Sequence, residues 1–376
     1  MRNTPGKSVA WDQLRGAYGS AEEVGELLGL IESGEDVWGD LFSHVLHQGS
    51  IFEATVPVIA WVIEALKQDR LGVGAGTKKR PSQRVWGFAF LSGAAGSATG
   101  LARRDSVASA VLDALRKGIA LYQKGLADTE PEIRVASAAI WKAVATDRAL
   151  AFASIDRQYK LEADSEVRVA LLSAMKALAA AGRKWSDRLL LILDTDASDR
   201  ERFYAAAYLA RRLGAATPES VAVQMAELFA RLPEPGYVVE LTNVEEPDDL
   251  FWESVRAMER SAAVACLAKA LELRPDGNGL SAARETVRLM EWLLRLVSND
   301  ERGGWGSTTS SRGPKIEYFG VKPVSNAGDW LHSTEARVAI EAIVNKKEVW
   351  RIQTNLLSLF GLPSGRQELR GLIGGL

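Results

Sequence analysis

Chemical potential in this chain concentrates first in its three histidines, two of which, His44 and His47, stand three positions apart. On a helix that spacing presents two imidazoles along one face, an arrangement able to ligate a metal ion. The ligand set stops there. No His-Glu-x-x-His pattern accompanies the pair, Asp40 and Glu53 are the acids nearby, and His332 is far along the chain. The pair therefore reads as two imidazoles at a helix end, hydrogen-bonded to neighbouring backbone. Phosphate-binding signatures fail as well. Gly72-Val73-Gly74-Ala75-Gly76-Thr77-Lys78 lacks the adjacent Gly-Lys of a P-loop and is one glycine short of the dinucleotide fingerprint. Gly96-Ser97-Ala98-Thr99-Gly100 places its serine second rather than third, so it is no nucleophile elbow. Cys266, the single cysteine, lies in an apolar run; it builds neither a disulfide framework nor a thiolate metal cage and fits a reducing compartment. The expectation is a protein that is not an enzyme, with no catalytic residues, metal or cofactor.

Recognition chemistry is better represented. Asp156, Arg157 and Lys160 occupy polar positions of an apolar-periodic segment at 149–161, Asp187 and Arg188 of another at 186–194, and Glu227 and Arg231 of a third at 218–231. Mixed signs suit a protein partner better than a polyanion. The formal net charge of -2 gives no global basic field to hold nucleic acid or an anionic membrane. Arg103 with Arg104, Arg211 with Arg212, and Lys78 to Arg80 read as solvated surface. Trp61, Trp86, Trp141, Trp252 and Trp292 lie in apolar helical contexts and read as core. Trp305 sits between glycines in a Gly/Ser-rich stretch, where an exposed aromatic suits partner contact.

The elements that must position these groups follow from a repeat. Pro131-Glu132-Ile133-Arg134-Val135-Ala136, Ser165-Glu166-Val167-Arg168-Val169-Ala170 and Asp199-Arg200-Glu201-Arg202-Phe203-Tyr204 put Arg134, Arg168 and Arg202 34 residues apart, with Asp128, Glu162 and Asp196 six residues before them. Aligned on the arginines, Val135, Val169 and Phe203 match, then Ala138, Leu172 and Ala206, then Trp141, Met175 and Leu209. Those steps trace one face of a helix. A second apolar-periodic segment follows each time, with Gly182 and Gly214 at expected helix ends and Thr217-Pro218 at an expected helix start. Such a unit is a helical hairpin, and a fixed period of this length marks a solenoid.

Elsewhere the period is looser. Helices are expected at 20–33, with Ser20 and Glu23 as a capping box, and then at 36–46, 51–67, 83–94, 106–124, 250–273, 280–298 and within 333–372. Long loops are expected at about 70–82, 233–249 and 299–329, with short strands at Val238 to Leu241 and Lys315 to Val321. The whole reads as all-α: a single α-solenoid of stacked antiparallel helical hairpins over 1–376, regular at about 126–232, with irregular capping units at 17–125 and 250–376. At roughly 35 to 45 residues per unit this gives about seven or eight helical pairs. Met1 to Gly16 has no apolar core of signal-peptide length, and the apolar stretch Ala54 to Leu66 is interrupted and short, so a cytoplasmic protein with no membrane partner is expected.

The 34-residue unit, with its acid and its arginine, resembles a HEAT repeat. Leu41-Phe42-Ser43-His44-Val45-Leu46-His47-Gln48-Gly49, followed by Ala54-Thr55 and Pro57, is similar to the opening units of uncharacterised bacterial HEAT-repeat proteins. In that family acid and arginine form a ladder between successive repeats. The resemblance implies this structural role for Asp128, Arg134, Arg168, Asp196 and Arg202, with Glu162 and Asp164 competing for the acid position of the second repeat. The expected function is a non-enzymatic scaffold or adaptor that binds a protein along the concave face lined by second helices. Two alternatives are a DNA-binding helical-repeat protein resembling alkylated-base glycosylases and a toxin-neutralising, immunity-type bacterial protein.

Overall fold

The computed structural model describes residues 9–71, 81–102, 104–179, 183–195, 197–232, 245–274, 280–298, 304–310, 313–319, 331–351, 353–354 and 356–374. These residues are mostly helical. After a two-residue ribbon, β1 (Arg15–Gly16) with β2 (Gly19–Ser20), come α1 (Val24–Glu32), α2 (Trp38–Val45), α3 (Thr55–Lys67), α4 (Gln83–Thr99), α5 (Ser106–Arg116) and α6 (Ile119–Gly125). The repeat region supplies α7 (Pro131–Val144), α8 (Arg148–Leu161), α9 (Ser165–Leu178), α10 (Arg183–Leu193), α11 (Asp199–Leu213) and α12 (Glu219–Ala230). Then follow α13 (Pro247–Ala257), α14 (Arg260–Leu273), α15 (Leu280–Ser298), the strands β3 (Gly304–Ser310) and β4 (Gly313–Phe319), α16 (Thr334–Asn345), β5 (Gln353–Thr354), α17 (Leu356–Leu359) and α18 (Arg366–Gly374).

The chain forms two compact units, one from Met1–Trp185 with Glu234–Glu245, the other from Ser186–Pro233 with Glu246–Leu376. In the first unit α4 packs on α7 and α7 on α9, while α8 returns against α9. Its core gathers Trp38, Phe88, Phe90, Leu91 and Ile140, each nearly or wholly removed from water. Burying side chains of this size stabilises the fold by about 1.5–3 kcal/mol apiece. In the second unit α11 packs on α12 and α13, α12 on α14, and α14 on α15 and α16. An aromatic series joins these helices: Phe203 to Phe229 at 5.6 Å, Phe229 stacked on Phe251 at 4.3 Å, and Trp252 to Trp292 at 5.7 Å.

Local chemistry sets the helix ends, and several differ from the sequence expectation. Asp147, Asp164 and Ser198 cap α8, α9 and α11 by accepting backbone N–H groups. Ser20 caps nothing: it lies in β2, its hydroxyl donates to the Asp12 carbonyl, and α1 starts after Glu23 with no side-chain cap. The expected helix at 106–124 breaks at Lys117-Gly118, where the buried Tyr122 hydroxyl donates to the Leu115 carbonyl at 3.0 Å. The expected helix at 250–273 is two, parted at Met258-Glu259, and its first half starts earlier, at Pro247, inside the stretch read as a loop to 249. Pro247 lacks an N–H and so suits a first helical position. Thr217 turns its hydroxyl back onto the Ala210 and Gly214 carbonyls, leaving Pro218 to precede α12.

The stretch read as a loop at 299–329 contains a hairpin. β3 pairs antiparallel with β4, Trp305 opposite Tyr318, and β4 pairs in parallel with β5. The strand expected at Lys315 to Val321 is thus β4, shifted toward Gly313 and accompanied by a second. The loop expected over 70–82 falls largely outside the described residues, as do Gly182 and the strand expected at Val238 to Leu241.

Candidate functional site

Within the second unit, α12, α14 and α16 enclose a groove of about 590 Å³. Val223 on α12, Ala265 and Ala268 on α14, and Val338 and Ala342 on α16 give it an apolar lining. Two alanines on the middle helix leave the space, because side chains that end at Cβ cannot fill it. Charged residues complete the lining with matched numbers: Glu219, Glu272 and Glu341 against Lys269, Lys346 and Lys347. Most are already engaged. Lys269 Nζ lies 3.2 Å from Glu272 and 3.9 Å from Glu227, and Glu341 accepts from Arg337 at 3.1 Å. Lys346 is buried and donates to the Arg274 carbonyl, tying the end of α16 to the end of α14. A groove so balanced offers a polyanion no field, while its alanines and Val338 offer apolar contact to a peptide.

Of the residues singled out for partner contact, Asp156 and Lys160 come together on α8 as an i,i+4 pair at 2.6 Å, with Arg157 exposed beside them. In the second unit Asp187 is exposed and Arg188 half-buried on α10. Trp305 lies in β3. Glu227 joins the groove's charge network through Lys269, and Arg231 pairs with Asp199 at 3.1 Å.

The arginines and acids of the repeat connect in a definite order. Arg84, at the start of α4, donates to Asp128 at 2.6 Å and to Glu130 at 3.2 Å. Arg134 donates to both carboxylate oxygens of Glu162, at 2.7 and 3.0 Å, and to the Asp128 carbonyl at 2.9 Å. Arg168 takes the Glu162 carbonyl at 3.3 Å and lies 4.4 Å over the Tyr159 ring. Arg134 and Arg168 thus each bind the backbone oxygen of the acid six residues before, and the Glu162 carboxylate serves the arginine of the preceding repeat. Of the two competing acids in the second repeat, Glu162 pairs with Arg134 and Asp164 caps α9. Arg202 reaches the Leu193 carbonyl at 3.3 Å and Asp199 at 3.8 Å, and Asp196 lies outside the described residues.

The two histidines frame an exposed tyrosine. His44 Nδ1 contacts the Asp40 carbonyl at 2.8 Å and its Nε2 contacts Glu23 at 3.1 Å. His47 Nδ1 meets the Tyr18 hydroxyl at 3.3 Å, and both imidazoles meet the Tyr18 ring edge-on at 5.5 Å. Glu53 instead accepts the Arg15 N–H. Among the described residues no three His, Cys, Asp or Glu side chains are grouped to hold a metal ion.

The groove residues escaped the sequence reading apart from Glu227 at its margin. Ala265 and Ala268 look like core alanines, and only the packing of α12 and α16 on α14 reveals the space above them. No protein-family model, curated protein or solved structure matches this chain.

Proposed function

We propose that the chain is a HEAT-like α-solenoid that acts as a non-enzymatic scaffold and binds a protein partner along its second helices, with α12, α14 and α16 as the principal seat. Support for the architecture comes from the 34-residue recurrence of Arg134, Arg168 and Arg202 and from the packing of successive helices within each unit. The observation that carries the function is the groove of about 590 Å³ with its alanine lining and equal numbers of Glu and Lys. No described helix is long and apolar enough to cross a membrane. A cytoplasmic setting belongs to the same reading and rests on the lone cysteine.

The test is affinity capture from lysate on the purified chain, with and without nuclease, repeated with Ala265→Arg and Val338→Arg. Both substitutions fill the groove from partly or fully exposed positions, so circular dichroism should report an unchanged fold. A protein that survives nuclease and is lost with either variant is the expected result. Nucleic acid recovered in its place, and released by moderate salt, would overturn the reading in favour of a DNA-binding protein.

A further inference from the structure

Helix α10 carries apolar residues on two sides. Leu189, Ile192 and Leu193 are buried, while Leu190 and Leu191 stand 44% and 53% exposed. Asp187, Leu190, Leu191 and Asp194 are all exposed and recur at i, i+3, i+4 and i+7, so they share one water-facing side, two leucines between two acids. Asp194 keeps to that side because its N–H closes the last turn on the Leu190 carbonyl at 3.2 Å. A helix side of this kind is one that seats in an apolar groove. The groove of α12, α14 and α16 has the complementary form. Ala265 and Ala268 leave room for larger side chains, and Val338, 37% exposed, supplies an apolar wall. Its charges are mostly spent: Glu272 on Lys269, Glu341 on Arg337, Lys346 on the Arg274 carbonyl. Glu219 and Lys347 are left without an ion pair or a side-chain hydrogen bond among the described residues. They are opposite in sign, as are the two ends of α10: its N-terminus is the positive end of the helix dipole, and Asp194 adds a carboxylate at the negative end.

We infer that the groove of one copy of this chain receives α10 of a second copy, with Leu190 and Leu191 over Ala265 and Ala268, Asp194 against Lys347, and the first turn of α10 toward Glu219. The inference rests on the reading of the groove as a protein seat and names its occupant. The leucine stripe and the groove belong to the same unit, so every copy offers both halves of the contact. Large side chains over small ones give the close packing that an association surface needs at its centre.

Sedimentation velocity of the full chain at a series of concentrations tests this. The native chain should associate as its concentration rises. Leu191→Lys and Val338→Arg, both at exposed positions, should each weaken association at least about tenfold, because each puts a charge where an apolar contact was buried. Circular dichroism checks that both variants stay folded. Asp194→Lys or Lys347→Asp alone should also weaken association, and the two together should restore it, which only a direct contact would do. A chain that stays monomeric throughout, association indifferent to Leu191→Lys, or a double charge variant as weak as the sum of its singles would each overturn the inference. A monomeric native chain from which Val338→Arg still removes a lysate partner would overturn the occupant and leave the seat standing. Loss of neither association nor partner on Val338→Arg would overturn both.

Discussion

Arg134 and Glu162, 28 residues apart in sequence, meet in a two-point contact whose side chains are only 14% and 4% exposed. Burial by itself would raise the Glu162 carboxyl. The Arg134 hydrogen bond and the Asp164 N–H outweigh it and hold the group below the usual carboxylate range. A paired charge at this depth is secure only while both partners remain.

Removing either partner should therefore be costly. Glu162→Gln and Arg134→Met are each expected to lower stability by about 3 kcal/mol, since each leaves an uncompensated buried group. Thermal or urea unfolding would measure it. The double variant should lose at least ~1 kcal/mol less than the sum of the two, the mark of a direct interaction.

The same contact carries a pH dependence of known sign. Because the folded pKa of Glu162 is depressed, its contribution is fully present above the ordinary carboxylate value and is lost as pH falls through the folded value. The stability gap between the native chain and Glu162→Gln should accordingly close in acid. Paired urea melts at neutral and acidic pH would show it, and a gap that stays constant would contradict the assignment.

A second joint, in the other unit, is built from reciprocal pairs. Arg288 on α15 lies 4.5 Å over the Trp252 ring of α13, and Arg256 on α13 lies 5.2 Å over the Trp292 ring of α15. Double-mutant cycles on Arg288 with Trp252 should return a coupling of about 1 kcal/mol, because one face of the pair is desolvated. Arg256 is exposed, so its cycle with Trp292 should return less.

At the end of α11, Gly214 has φ 58° and ψ -127°, a conformation essentially reserved for glycine. A Cβ there would meet the Ala257 carbonyl at an ordinary 3.6 Å, so backbone strain alone opposes a side chain. Gly214→Ala is expected to cost about 2 kcal/mol in thermal unfolding.

How much of this was legible in the sequence depended on distance along the chain. Helices α7, α8, α9, α11 and α12 could be placed because their apolar faces recur with Arg134, Arg168 and Arg202, and Gly214 marked the end of α11. Arg84 could not be assigned to Asp128, because 44 residues separate them and the period does not reach back that far. The groove was out of reach for the same reason: its residues come from three helices separated by aperiodic stretches. β3 reads Gly-Trp-Gly-Ser-Thr-Thr-Ser, with no apolar alternation, and only its pairing with β4 makes it a strand. Ser20 and Glu23 misled, because their spacing satisfied a capping box while the β1–β2 ribbon had already taken the serine.

The bonding of the repeat arginines also constrains how such a chain can change length. Glu162 gives its carbonyl to Arg168 and its carboxylate to Arg134, so this link has a direction and its acid must present both groups at the right separation. Duplicating one whole 34-residue repeat would supply a new acid and a new arginine in the same register. An insertion of a few residues between Asp128 and Arg134, or between Glu162 and Arg168, would carry the carbonyl away from its guanidinium and break the link there. Lineages of this protein should therefore lengthen or shorten by complete repeats, while small insertions collect in stretches away from the Asp128–Arg134 and Glu162–Arg168 links.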